Sequence, residues 1–127
     1  MRDIFILTNT KLSYENCKDV VASRILNAGG NEHVISFGEP PKSVYLWFST
    51  DETDERMYNE NEAGGFDAEL QQLVPMQNPF CANVEFHRLI DVKKLVSALF
   101  ERFPELYVVD DDDNVYSGEM FLKLKSI

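Results

Sequence analysis

The sequence has few basic residues, and it has little of what marks disulfide scaffolds or membrane segments. Its 127 residues include two cysteines, five prolines and one tryptophan. No apolar run approaches the ~20 residues that a membrane span needs. Cys17 and Cys81 form no CxxC pair, so we expect two buried thiols. The chain has only 12 Lys and Arg but 22 Asp and Glu. The resulting net charge of −10 argues against nucleic acid or an anionic membrane as the partner.

The chain does contain enough apolar material for one core. Hydrophobic residues make up 44% of it, and its length suits a single domain over residues 1–127. The first residues lack the apolar stretch and small-residue cleavage site of a signal peptide, so we expect a cytoplasmic protein.

Two long amphipathic stretches predict the main helices. Ser13 resembles an N-cap, and the apolar spacing continues from there to Ala28, where Gly29-Gly30 supplies a left-handed stop. A second helix follows Asp91, taken as its N-cap, and ends before Pro104. Shorter helical segments are predicted within 66–74 and after Ser117, where a terminal strand is the alternative.

Strand signals surround these helices. They are short apolar, β-branched or aromatic runs bounded by turn residues: 4–7, 34–37, 43–49, 82–88, 106–109 and 115–116. The order predicts an α/β fold, more closely an α+β sandwich. Its mixed, largely antiparallel sheet carries the two main helices packed on one face.

The negative charge is concentrated in two segments. Residues 51–69 carry −7, residues 110–113 carry −4, and the rest of the chain is left at about +1. Both segments are predicted to be irregular, as a long acidic loop at about 51–65 and a turn. We expect them to lie side by side as one continuous negative patch, whose field can steer a cationic partner. The predicted partner-binding residues are Asp51, Glu52, Asp54, Glu55, Tyr58, Glu60, Glu62, Asp67, Glu69, Asp110, Asp111, Asp112, Asp113 and Trp47.

The aromatic strand 45–48 leaves two interpretations open. Tyr45 and Trp47 alternate onto one face, while Leu46 and Phe48 alternate onto the other. We expect all four to pack in the core. The alternative is that the tyrosine and tryptophan stay exposed beside the acidic loop, where they would suit a binding anchor.

Catalytic and metal-binding patterns find little support. An EF-hand loop beginning at Asp110 would need Gly at 115 and Glu at 121, where the chain has Val115 and Phe121. Glu85 and His87 share one strand face, and a solvated pair is the simpler interpretation. We therefore expect no enzyme activity, no cofactor and no metal. A metal-binding module using the aspartate turn stays open as an alternative.

The C-terminal third follows a cadence shared with a known class of proteins. Val84-Glu85-Phe86, then Phe103-Pro104-Glu105-Leu106, then residues 108–117 (VVDDDDNVYS) resemble small bacterial immunity proteins. These are encoded beside polymorphic toxins, including those of contact-dependent growth inhibition. The resemblance implies an inhibitor that binds a toxin domain, in many cases a basic nuclease, and it carries no shared catalytic residues.

The preferred hypothesis is therefore an immunity protein that neutralises a cognate toxin domain by stoichiometric, charge-steered association. The alternative is a small acidic regulatory or scaffold module that binds another protein. The oligomeric state is left open.

Overall fold

The computed structural model describes residues 1–48 and 72–126. These residues form seven strands and three helices. The strands are β1 Arg2–Thr8, β2 Gly29–Asn31, β3 Val34–Phe37, β4 Val44–Trp47, β5 Phe80–Phe86, β6 Tyr107–Asp110 and β7 Val115–Ser117. The helices are α1 Tyr14–Arg24, α2 Leu89–Arg102 and α3 Gly118–Leu122.

The strands form one antiparallel sheet in the order β2-β3-β4-β5-β1-β6-β7. Strand β1 lies between β5 and β6 and pairs with both, so the first strand of the chain sits inside the sheet. The predicted α+β fold with a largely antiparallel sheet is confirmed, and within 1–48 and 72–126 no strand pair is parallel.

The helices cover one face of this sheet. Side chains alternate along a strand, so Ile4 and Ile6 of β1 point to the same face as Val84 of β5. That face belongs to the main core, which also contains Leu95 of α2 and Phe121 of α3, all fully buried. The prediction of two main helices on one face is confirmed.

The described residues cover the opposite face only in part. Leu7, Val74 and Val109 form a small second cluster there, with Phe5 and Met76 packed against it. The predicted helix within 66–74 lies mostly outside the described residues, but Val74 is buried in this cluster. Coverage of the sheet is therefore concentrated around β1 and β6.

The start of α1 is confirmed and its end is not. Ser13 is the N-cap, and its side chain and that of Asn16 complete a capping box. The helix ends at Arg24, and the positive φ of 62° that follows belongs to Asn27. The prediction that Gly29-Gly30 terminates the helix was wrong, because these glycines form the edge strand β2.

The prediction that Asp91 caps α2 was also wrong. The helix begins two residues earlier at Leu89, with Arg88 as the N-cap. Asp91 instead lies in the first turn, where it is 6% exposed and its carboxylate accepts from Arg88 Nε at 2.7 Å and Nη2 at 3.1 Å. An acidic side chain is favourable there as well, because it faces the positive end of the helix dipole.

The C-terminal elements follow the predicted order. Strands β6 and β7 form an antiparallel hairpin around the acidic turn. Ser117 caps α3 by accepting from the Met120 amide at 3.2 Å. Among the helices of the described ranges, none is long and apolar enough to cross a membrane.

Candidate functional site

Asp110 begins the acidic turn and is turned inward. It is 3% exposed, and its Oδ1 accepts from the amides of Asp112 and Asn114, both at 2.9 Å. Its Oδ2 accepts from Asn114 Nδ2 at 3.1 Å and from the Tyr116 hydroxyl at 3.2 Å. These four hydrogen bonds close the β6–β7 turn, as an aspartate that begins a turn commonly does. The structure thus gives Asp110 a structural role and removes its carboxylate from the accessible surface.

The next three aspartates differ in exposure. Asp111 accepts from Arg2 Nε at 3.0 Å and also pairs with Arg2 Nη2. The hydrogen bond from Arg2 holds the pKa of Asp111 below its usual range. Asp112 lies 3.9 Å from the same guanidinium with its side chain 76% exposed, and Asp113 is exposed. The turn therefore offers mainly Asp112 and Asp113 to a partner.

The aromatic strand β4 splits between the two faces of the sheet. Leu46 and Phe48 are buried in the main core, as predicted. Trp47 is 41% exposed, and its ring stacks on that of half-buried Tyr45 with centroids 6.0 Å apart and planes 22° from parallel. The expectation that all four aromatic-strand side chains pack in the core was wrong. The helices of the described ranges pack on the other face of the sheet, so none of them covers this aromatic pair.

Strand register places two carboxylates next to this aromatic pair. Glu85 of β5 is directly opposite Tyr45 of β4 on one side and Asp3 of β1 on the other. Directly opposed residues point to the same face, so the three side chains form one row. We call the surface formed by Asp3, Tyr45, Trp47 and Glu85 the open face.

The open face carries two carboxylates, those of Asp3 and Glu85. Within the described part of the chain, neither Asp3 nor Glu85 makes a salt bridge. Like charges directly opposed on neighbouring strands destabilise a sheet by a few tenths of a kcal/mol to about 1 kcal/mol. A cation placed between them would relieve that repulsion, and an aromatic face beside it would add a cation–π contact.

Part of the predicted site lies outside the described residues. This holds for Asp51, Glu52, Asp54, Glu55, Tyr58, Glu60, Glu62, Asp67 and Glu69. The predicted adjacency of this segment to residues 110–113 stays a prediction. Trp47 and the aspartate turn are the predicted site residues that the structure does place.

The two cysteines differ in burial. Cys17 is fully buried, and burial raises the pKa of its thiol to about 12, so the nucleophilic thiolate is disfavoured. Cys81 is half-buried, so the expectation of two buried thiols holds for Cys17 alone. Over 1–48 and 72–126, no group of three or more His, Cys, Asp or Glu side chains is positioned to hold a metal ion.

Comparison with protein-family models, curated proteins and solved structures finds no match for this chain.

Sequence reasoning missed Asp3 as a site residue. It is a single carboxylate in the first strand, and only the pairing of β1 with β5 brings it beside Glu85. Register between strands distant in sequence has no local signal, so no inspection of residues 1–8 could have found this contact.

Proposed function

We propose that this protein is an immunity protein that binds a basic toxin domain and neutralises it stoichiometrically in the cytoplasm. The observation that carries the proposal is the open face, where a stacked Tyr45–Trp47 pair adjoins the carboxylates of Asp3 and Glu85, which form no salt bridge with any residue of 1–48 and 72–126. An aromatic anchor surrounded by charge is a typical centre of a protein–protein contact.

The charge distribution supports a cationic partner. The chain carries −10, and Asp112 and Asp113 add accessible carboxylates at the β6–β7 turn. A nuclease toxin presents Lys and Arg to phosphate, so an acidic inhibitor competes for the same surface. Opposite charges also accelerate association, which suits an inhibitor that must act before its toxin does.

Binding without catalysis is supported by how the reactive groups are used. The Asp110 carboxylate is occupied by the turn, and the Cys17 thiol is buried with a raised pKa. In this proposal the toxin is neutralised by a complementary surface alone, with no cofactor or metal.

The first test uses the neighbouring gene. We expect a large secreted protein to be encoded immediately upstream, and the probe is its C-terminal domain, expressed alone and together with this chain. We expect the domain to arrest growth, this chain to restore it, and the two to elute as one stoichiometric complex. A neighbouring domain that is harmless, or toxic without forming a complex, would contradict the proposal. Binding to a harmless basic partner would favour the regulatory-module alternative.

The second test is Trp47→Ala in the same complex. Truncating a central aromatic anchor costs about 2 kcal/mol or more, so we expect affinity to fall by roughly 30-fold. The matched control is Leu26→Ala, because Leu26 is 87% exposed and lies away from β4 in the sequence. Equal affinities for both variants would remove Trp47 from the interface, and thermal melting of each variant checks that it is folded.

A further inference from the structure

The helical layer carries a groove whose charge is opposite to that of the molecule. The groove lies between the N-terminal half of α2 and the segment after α3, has a volume of about 720 Å³, and is open to solvent. Four of the chain's twelve basic residues line it: Arg24, Lys93, Lys94 and Lys125. Among the described residues, no Asp or Glu lines it. We call it the basic groove.

Two of these cations are held by the fold. Arg24 pairs with Glu101 at 2.8 Å, and Lys93 Nζ donates to the carbonyl oxygen of Leu124 at 2.7 Å. The lysine contact ties the C-terminal segment to α2. It keeps a full positive charge in the wall of the groove, because a carbonyl oxygen satisfies the ammonium without neutralising it.

The other two cations are available to a ligand. Lys94 lies 3.9 Å from Asp91, but that carboxylate is already held by Arg88 at 2.7 Å. Lys125 is exposed and makes no salt bridge with any described residue. Within the described ranges, Lys94 therefore shares its one nearby carboxylate with Arg88, and Lys125 has none.

The remaining lining is largely apolar. Ile90 is 64% exposed, which is high for a large aliphatic side chain in the first turn of a buried helix. Leu89, Leu122 and Leu124 are half-buried beside it. Exposed apolar surface rimmed by polar side chains is typical of interaction sites.

We propose that the basic groove docks an acidic, amphipathic segment of a partner protein. Its apolar side chains would cover Ile90 and the leucines, and its carboxylates would meet Lys94 and Lys125. The positive charge of the groove favours an acidic partner. The groove is open to solvent, so any ligand in it keeps one side in water. An amphipathic polypeptide can present polar side chains on that side, whereas a lipid acyl tail would leave apolar surface exposed.

The net charge of −10 does not prevent this docking. At physiological salt the Debye length is about 8 Å, so exposed charges farther away than that are largely screened. The groove lies on the helical side of the sheet, whereas the open face lies on the other side. The two surfaces can therefore be occupied together, and this site is independent of the toxin-binding proposal.

The test uses the full chain and a synthetic probe. The probe is a peptide of about 14 residues with leucines at i, i+3 and i+4 and glutamates along both flanks, a pattern that forms one apolar stripe. A second peptide carries Gln in place of every Glu. We expect the Glu peptide to bind with a Kd below about 100 µM, and the Gln peptide to bind at least tenfold more weakly.

Two matched pairs of variants locate the binding. The double variant Lys94→Glu/Lys125→Glu should lower the affinity for the Glu peptide roughly tenfold or more, since two attractions become repulsions. Lys18→Glu/Lys42→Glu makes the same charge change outside the groove and should leave the affinity within about threefold. Ile90→Asn should also weaken binding, whereas Leu26→Asn, at a still more exposed leucine, should not.

Each remaining outcome overturns the proposal. Absence of binding would show that the groove does not recognise this chemistry. Equal binding of the Glu and Gln peptides would remove charge as the basis of selection. Equal loss in both double variants would place the peptide elsewhere. Binding to phosphatidylglycerol vesicles but to neither peptide would assign the groove to a membrane surface.

Discussion

Asp110 shows that an aspartate within an acidic run can serve the fold. Its two oxygens accept four hydrogen bonds that hold Asp112, Asn114 and Tyr116 in the β6–β7 turn. The sequence predicts a turn at this place, but it does not distinguish the first aspartate from its three neighbours. Asp110 differs from the other three in being buried, because the alternation of side chains along β6 places it on the face of the sheet that the helices cover.

The variant Asp110→Asn is expected to lower the free energy of unfolding by about 2 kcal/mol, because the amide group replaces a charged acceptor with a donor. The control Asp113→Asn removes the same charge at an exposed position with a φ of 63°, which asparagine also tolerates. It should change stability by less than about 0.5 kcal/mol. Urea unfolding measures both, and equal effects would contradict the structural role of Asp110.

Tyr116 makes stability sensitive to alkali. Burial, together with the nearby Asp110 carboxylate, raises the pKa of its hydroxyl above the usual value near 10. The unfolded chain therefore loses this proton first. The stabilising contribution is complete below about pH 10 and is lost as pH rises through the raised pKa.

Tyr116→Phe should accordingly lose less stability than the wild type between about pH 9 and pH 11. Its stability at pH 7 should be lower by about 1 kcal/mol, because one hydrogen bond to a buried carboxylate is lost. Urea midpoints at each pH provide the measurement. Parallel pH profiles for the two proteins would show that this hydroxyl does not titrate as described.

At the level of secondary-structure elements, the periodicity of apolar residues predicted which helices and strands exist better than it predicted where each one begins and ends. Local patterns predicted the helix after Ser13, the strands that pair as β3 and β4, and the two strands on either side of the acidic turn. Edge strand β2 was missed, because Gly29-Gly30 is locally a helix stop, and only pairing with β3 makes it a strand. The start of α2 was misplaced because Leu89 and Ile90 precede the polar residue that resembled a cap.

Gly30 is constrained by that pairing and Gly29 is not. A Cβ at Gly30 would collide with the Val34 carbonyl oxygen and lie 2.9 Å from Ile35 Cα, whereas nothing lies within 4 Å of one at Gly29. The obstructing atoms are backbone, so the β2–β3 hairpin would have to open. We expect Gly30→Ala to lower stability by about 1–3 kcal/mol, and Gly29→Ala to be nearly neutral.

Thermal unfolding of the two alanine variants measures this difference. Adjacent positions in one strand share composition and solvent exposure, so each variant controls for the other. Similar melting temperatures would contradict the β2–β3 pairing, while a lower melting temperature for Gly30→Ala alone would support it.

At the level of the whole molecule, the sequence shows where the acidic residues are concentrated along the chain but not which residues lie beside them in the fold. The sequence showed that acidity is concentrated in 51–69 and 110–113. It could not show that Asp3 and Glu85 meet beside Tyr45, since that depends on the pairing of three strands. The open face could therefore be identified only from the strand register in the structure, whereas the excess of acidic residues was evident from the sequence.

The central claim, charge-steered binding of a basic toxin domain, is tested most directly by association rates in stopped flow. For the wild-type chain and the neighbouring toxin domain, we expect the rate to fall at least about tenfold between roughly 50 and 300 mM salt. Neutralising Asp51, Glu52, Asp54 and Glu55 should slow association about tenfold at low salt. Neutralising the exposed Glu15, Asp19, Glu32 and Glu39 should slow it less than about threefold. A rate independent of salt, or equal slowing by both sets, would contradict the account.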